Sequence, residues 1–312
     1  MKKSIPMLCC LLTICLMISS GRSLSAQEES KLELPETDIF LFEIQSDGDK
    51  ITLGQIGNIT DRPGYDNQPW FTPESKSILF TANGQPDRTD VFEYFIESRS
   101  TQQVTDTPNQ EYSPQMSPDN KTLSFVTDGA TANQSIWSAD RDDISKESWL
   151  LAQQGEREPV GYYAWNHETG YILYWSRYGF NIRLVHEEQK LSHYIAGDTP
   201  PASPWIIPET TKFSFVHQQG NEQVWIKELD PETLAIRPLV AINGANRNYG
   251  WAPDQSIYMI QDDELFRWNG YPADRDAGWA SIANLDEFGI SGSSRVNVSP
   301  DGKMIAIVGV AK

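Results

Sequence analysis

Residues 112–140 read YSPQMSPDNKTLSFVTDGATANQSIWSAD. Ser117-Pro118-Asp119-Asn120-Lys121 is a turn signal, because proline presets φ and an aspartate side chain can bond backbone N–H groups just beyond it. Leu123 and Phe125 then alternate with polar residues, a glycine-containing loop follows, and Ile136-Trp137 opens a second apolar run. Period-two runs bracketed by turn residues are antiparallel strands.

The same unit recurs along the chain. Its turn anchors are Pro73, Pro118, His167, Pro208, Pro253 and Pro300, about 45 residues apart, which is the period range of propeller blades. A large apolar residue stands two positions before each anchor: Phe71, Met116, Trp165, Ile206, Trp251 and Val298. An apolar run follows each one, and these are the first and second strands. Third strands begin near Val91, Ile136, Ile182, Val224 and Leu265, and weaker fourth strands follow, as at residues 102–105 and 193–195. The sixth copy reaches Lys312 after two strands. An opening hairpin, residues 38–44 and 51–56 around Ser46-Asp47-Gly48-Asp49, has the pattern of the missing third and fourth strands. The sequence therefore predicts an all-β, six-bladed β-propeller with four-stranded antiparallel blades. The N-terminal hairpin completes the C-terminal blade, which removes the open sheet edges of the array.

Three stretches carry a family resemblance: Asn58-Ile59-Thr60-Asp61 through Pro73-Glu74, Val104-Thr105-Asp106 through Pro118-Asp119, and Asn297-Val298-Ser299-Pro300-Asp301-Gly302-Lys303. They resemble the WD40-like repeats of the TolB propeller, and the resemblance covers residues 38–312. TolB carries a separate α/β domain before its propeller, whereas this chain resembles the propeller alone. The resemblance implies a partner-binding role at the cell envelope.

Residues 1–26 have the form of a secretory signal: Lys2 and Lys3, the apolar stretch 7–18, and the small residues Ser23, Ser25 and Ala26 before a cleavage point. Residues 27–37, QEESKLELPET, read as a polar tether, and residues 38–312 as one propeller domain. Export predicts a periplasmic or secreted protein. Cys9, Cys10 and Cys15 all fall within the signal, so no disulfide is expected in the mature chain. Ile14 precedes Cys15 where a lipoprotein signal has a small residue, which argues against a lipid anchor. No later segment has the roughly 20 consecutive apolar residues of a membrane-spanning helix. The formal charge of −18 becomes −21 when Lys2, Lys3 and Arg22 leave with the signal. Such a surface repels phosphate backbones and anionic membranes, so nucleic acid is excluded as a partner. A monomer is expected.

Sites on propellers draw on loops from several blades. The turn-rich connection before the first full copy supplies Arg62, Tyr65 and Asp66. Trp70 and Trp205 stand one position before the apolar pre-anchor residue and are candidates for ligand contact. His167 replaces the anchor proline in the third copy. Of the other tryptophans, Trp137, Trp165, Trp225, Trp251 and Trp268 fit inter-blade core, and Trp149, Trp175 and Trp279 lie near connections. His167 and His186 belong to turns on one rim, about two strand spacings apart, on the order of 10 Å, and no clustered carboxylates accompany them. Neither a metal nor a cofactor is expected. The chain has no G-x-S-x-G elbow, P-loop or dinucleotide fingerprint, so no catalytic residue is assigned. The leading reading is a non-catalytic scaffold that binds a protein or peptide on one face. The alternative is a carbohydrate-binding or metal-assisted carbohydrate-active propeller, prompted by the third-copy histidines and the tryptophans.

Overall fold

The first strand, β1 (Asp38–Asp47), has four consecutive apolar residues, Ile39 to Phe42, each at most 4% exposed. A strand buried on both faces reads as a continuous apolar run rather than an alternating one. Ile39 and Leu41 pack toward one neighbouring sheet, and Phe40 and Phe42 toward the other. β1 pairs antiparallel with β2 (Lys50–Asn58) on one side. On the other it pairs with the last strand of the chain.

The structure is a computed structural model that describes residues 34–47, 50–85, 88–128, 134–149, 159–188, 192–220, 223–272 and 277–312. The proposed signal and most of the tether lie outside the described residues. Blade 1 is β3 (Asp66–Phe71), β4 (Ser77–Gln85), β5 (Arg88–Phe95) and β6 (Ser100–Gln103). Blade 2 is β7 (Glu111–Met116), β8 (Thr122–Thr127), β9 (Ser135–Asp140) and β10 (Asp143–Trp149). Blade 3 is β11 (Val160–Trp165), β12 (Tyr171–Ser176), β13 (Asn181–His186) and β14 (His193–Ala196). Blade 4 is β15 (Trp205–Ile206), β16 (Phe213–Gln219), β17 (Gln223–Leu229) and β18 (Ile236–Ile242). Blade 5 is β19 (Tyr249–Trp251), β20 (Ile257–Gln261), β21 (Glu264–Trp268) and β22 (Ala280–Asn284). A short 3-10 helix, Leu285–Phe288, leads to β23 (Ile290–Val298) and β24 (Met304–Ala311).

The sixth sheet has the order β2-β1-β24-β23, so the opening hairpin supplies its two outer strands. The fold is a six-bladed β-propeller with antiparallel four-stranded blades, as the repeats predict. The closing register matches faces: Phe42 opposes Ile305 and Phe40 opposes Ile307, while Leu41 opposes Ala306 and Ile39 opposes Val308. Six apolar clusters, each drawn from two neighbouring blades, hold the ring together. Among the described residues no helix is long and apolar enough to cross a membrane.

The anchors are structural. Ser117 Oγ donates to Asp119 Oδ1 (2.6 Å) and accepts from the Thr122 N–H (2.8 Å). Ser299 and Asp301 repeat the arrangement in blade 6, at 2.6 Å and, from Met304 N, 2.9 Å. In blade 3 Asn166 takes this role, its Oδ1 accepting from Glu168 and Thr169 N–H groups at 3.0 and 3.1 Å. The turn has the same length as in blade 2, but its inner bond runs from Gly170 N to Asn166 O, one residue further along than Asn120 N to Ser117 O, and Gly170 takes φ 73°, a conformation that suits glycine.

Phe42 is fully buried in the closing blade. Phe42→Ala is expected to lower unfolding free energy by about 3–5 kcal/mol, measured by chemical denaturation. A loss below about 1 kcal/mol would mean that the hairpin does not close the ring.

Candidate functional site: the front face and the channel

All six innermost strands run the same way along the ring axis, so the ring has a front face, where they begin, and a back face, where they turn into the second strands. The channel lining is drawn from residues three to five positions before the turn anchors. Five before, these include Gln68, Ser113, Ser203, Asn248 and Arg295, with Tyr162 at the same repeat position; three before, the large ones are Trp70, Gln115 and Trp205. In β3 and β7 a proline adjoins a residue of positive φ, Gln68 at 56° and Ser113 at 52°, and the ladder register shifts there. These bulges re-aim the side chains that follow.

The ring places blade 1 opposite blade 4 and blade 3 opposite blade 6. Trp70 and Trp205 meet across the axis as stacked indoles, with centroids 5.4 Å apart and planes within 12°. Arg295 crosses the other diagonal: its Nη2 donates to the Tyr162 hydroxyl at 2.8 Å, and its guanidinium lies 5.0 Å from that ring's centroid. Gln115 Nε2 donates to Tyr163 O at 2.7 Å, tying blade 2 to blade 3. The space left is about 40 Å³. Ser113 Oγ, Trp205 Nε1 and Asn248 Oδ1, from residues that line it, are buried and make no hydrogen bond within the protein. A polar cavity of this size suits water rather than an organic ligand.

Arg62, Tyr65 and Asp66 lie on the front face where β3 begins. Arg62 Nη2 donates to Asp66 Oδ1 at 2.5 Å and Nη1 to Asn83 O at 3.2 Å, and the guanidinium sits 5.8 Å from the Phe92 ring centroid. Asp66 is fully buried, and its backbone is held by Thr37, whose carbonyl accepts from Asp66 N and whose hydroxyl donates to Asp66 O, both at 3.0 Å. Burial pushes its carboxyl up to about 6, against the pull of Arg62. The Arg62–Asp66 pair is therefore an internal strut of the loop. Tyr65 is buried beside Arg295, Tyr162 and Tyr112; burial raises its phenol above the ordinary value and Arg295 opposes the shift.

The same face carries an exposed aromatic turn between β12 and β13. Tyr178 is 73% and Phe180 52% exposed. Phe180 has φ 44°, a strained value for a bulky residue. It is held there by Thr199 N, which donates to its carbonyl at 3.1 Å, and by edge-on contact with Trp175 at 5.7 Å. The sequence did not single out this turn, although two aromatics around Gly179 are its visible signal.

His167 lies on the back face, 3.9 Å from the Trp165 ring. Burial lowers its pKa, and Asp119 opposes that. His186 packs edge-on against Tyr171 at 5.1 Å, and its Nδ1 accepts from Glu188 N. Among the described residues no three His, Cys, Asp or Glu side chains are grouped to hold a metal ion. Trp175, grouped by sequence with the connections, belongs to the second strand of its blade. It is buried between blades 3 and 4 and donates to Thr199 O at 2.9 Å. Trp165 and Trp225 are half-buried rather than full core. The side chain of Trp149 is outside the described residues.

Arg295 and Tyr162 went unassigned in the sequence reading. They stand five residues before their anchors, as Gln68 and Asn248 do, so the repeat alignment itself holds the signal.

No protein-family profile matches the chain, and no curated protein matches it in sequence. Solved structures do match. The Agrobacterium tumefaciens structure assigned to TolB aligns with TM-score 0.67 at 14% identity, over 88% of this chain and 98% of that one. TolB from Acinetobacter baumannii aligns with TM-score 0.54 at 11% identity over 88% of this chain, which spans 64% of that longer protein. A gluconolactonase from Xanthomonas campestris aligns with TM-score 0.60 at 9% identity, over 88% and 97%. The fold is thus TolB-like and is shared with an enzyme, so fold alone does not decide between binding and catalysis.

Because its folded-state pKa is raised, protonated Asp66 favours the fold below about pH 4, and that contribution is lost as pH rises through about 6. Asp66→Asn stays neutral, so it should gain on the wild type by about 2–3 kcal/mol between pH 4 and 7 in denaturant titrations. A gap independent of pH would show that the buried carboxylate carries no such cost.

Proposed function

We propose, on the premise of a TolB-like propeller whose channel is bridged at its axis, that this protein is a non-catalytic scaffold at the cell envelope. Its front face binds a protein or peptide partner. The observation that carries this reading is the aromatic turn Tyr178 to Phe180, presented to solvent on a strained backbone. Strain at an exposed aromatic persists where surrounding contacts impose it, and such positions cluster at binding sites. Exposed aromatic side chains provide large contact area at low entropic cost, the profile of interface anchors. The channel supports the same reading by what fills it. Two indoles and an Arg–Tyr pair occupy its axis, so a partner engages the face instead of a substrate entering a central pocket.

Export through the signal-like residues 1–26 would deliver the propeller to the periplasm or the medium, and the TolB resemblance favours the envelope. Tyr65, Trp70 and Trp205 support the face from beneath, with Arg62 and Asp66 bracing its loop.

Affinity capture from an envelope extract tests the reading. The wild type should retain a defined partner, Tyr178→Ala with Phe180→Ala should lower its retention at least tenfold, and His167→Ala on the back face should leave it unchanged. No retention by the wild type, or loss only with His167→Ala, would overturn it.

A further inference from the structure

Away from the Tyr178 to Phe180 turn, between blades 4 and 5, lies a cleft of about 660 Å³. That is within the range of small-molecule sites, roughly 300–1,000 Å³. The register of blade 5 builds one wall: Met259 opposes Phe266 and Gln261 opposes Glu264, so four side chains share the face turned to blade 4. Val240 of β18 contributes the facing wall. Trp279, just before β22, spans the gap: its Nε1 donates to Ala241 O of β18 at 2.8 Å, which fixes the indole over the cleft. Phe266 and Trp279 pack partly buried against the shared core of the two blades.

The charged side chains that line the cleft have one sign: Asp262 and Glu264 line it, and among the described lining residues none carries a positive charge. Arg247 stands at its border, its Nη1 donating to Gly244 O at 2.6 Å. The Ser281 hydroxyl donates to Glu264 Oε1, which orients the carboxylate. Gln261 is committed elsewhere, accepting from Asn246 N at 3.0 Å and donating to Asn246 O at 2.8 Å. What remains for recognition is apolar and aromatic surface beside two carboxylates and the Asn243 amide. Aromatic rings attract cations, and carboxylates complement them, whereas an anion would be repelled.

We propose that this cleft binds an organic cation, an ammonium group carried on an apolar body, with Glu264 meeting the charge and Phe266 and Trp279 the body. The cleft lies between blades 4 and 5, whereas the Tyr178 to Phe180 turn belongs to blade 3. Its occupant is chosen by charge, and this separates it from a neutral sugar, which could stack on the same rings.

Isothermal titration calorimetry of the purified protein with phenethylammonium, 2-phenylethanol and phenylacetate varies charge at nearly constant shape. Saturable binding of the cation is expected, at least tenfold tighter than the alcohol, with no binding of the carboxylate. Glu264→Gln should weaken the cation about tenfold and leave the alcohol unchanged. Phe266→Leu, an independent variant should the first fail to fold, should weaken both. Equal affinity for cation and alcohol, cation binding indifferent to Glu264→Gln, tighter binding of methyl glucoside, or no binding of any probe would overturn the proposal.

Discussion

The pairing of β1 with β24 is the constraint on which the rest depends. The two ends of the chain share a blade, which ties the ring of six sheets shut by strand pairing, and the register that joins them matches apolar residues on both faces at once. A slip of one residue would exchange the two faces, placing Phe40 and Phe42 where Ile39 and Leu41 belong. Closure also fixes the axis. Without it, blades 1 and 4 or 3 and 6 would have no defined opposition, and residues distant in sequence would not meet.

That opposition gives the channel its character. Trp70 reaches Trp205, and Arg295 reaches Tyr162, from blades that share no strand contact through an apolar cluster. A stacked aromatic pair contributes roughly 0.5–1.5 kcal/mol beyond its burial, and the Arg–Tyr contact joins a hydrogen bond to a cation–π interaction. Each bridges the full ring, so the energy is modest but its placement stiffens the assembly along two diagonals. A gluconolactonase shares this fold, while this chain fills its axis with aromatic and cationic side chains. With the axis filled, the proposed recognition surfaces lie outward, on the front face and in a cleft between blades.

Much of this was legible in the sequence. The turn anchors gave the blade count, because proline and Asp or Asn side chains act locally and repeat with the unit. The hairpin's role at the C-terminal blade followed from a strand count that did not close without it. Trp70 and Trp205 were visible as large residues at one repeat position, but their contact was not, because pairing across an axis leaves no periodic trace. Arg295 and Tyr162 were hidden for the same reason, 133 residues apart. Arg62 and Asp66 read as candidate binding residues of a turn-rich connection, and Asp66 is buried, since the Thr37 segment covers the loop through tertiary bonds. The Phe180 turn escaped notice because strain is a property of φ, and composition does not reveal it.

The central claim, that opposite blades are locked through the channel, is tested most directly by a double-mutant cycle on Trp70→Ala and Trp205→Ala, with unfolding free energies from denaturant titration. Residues on opposite blades with no shared partner would be additive within about 0.3–0.5 kcal/mol. The stacked geometry instead predicts a coupling of about 1 kcal/mol, the two losses together being smaller than their sum. Additive losses would contradict it and leave the channel unbridged in solution.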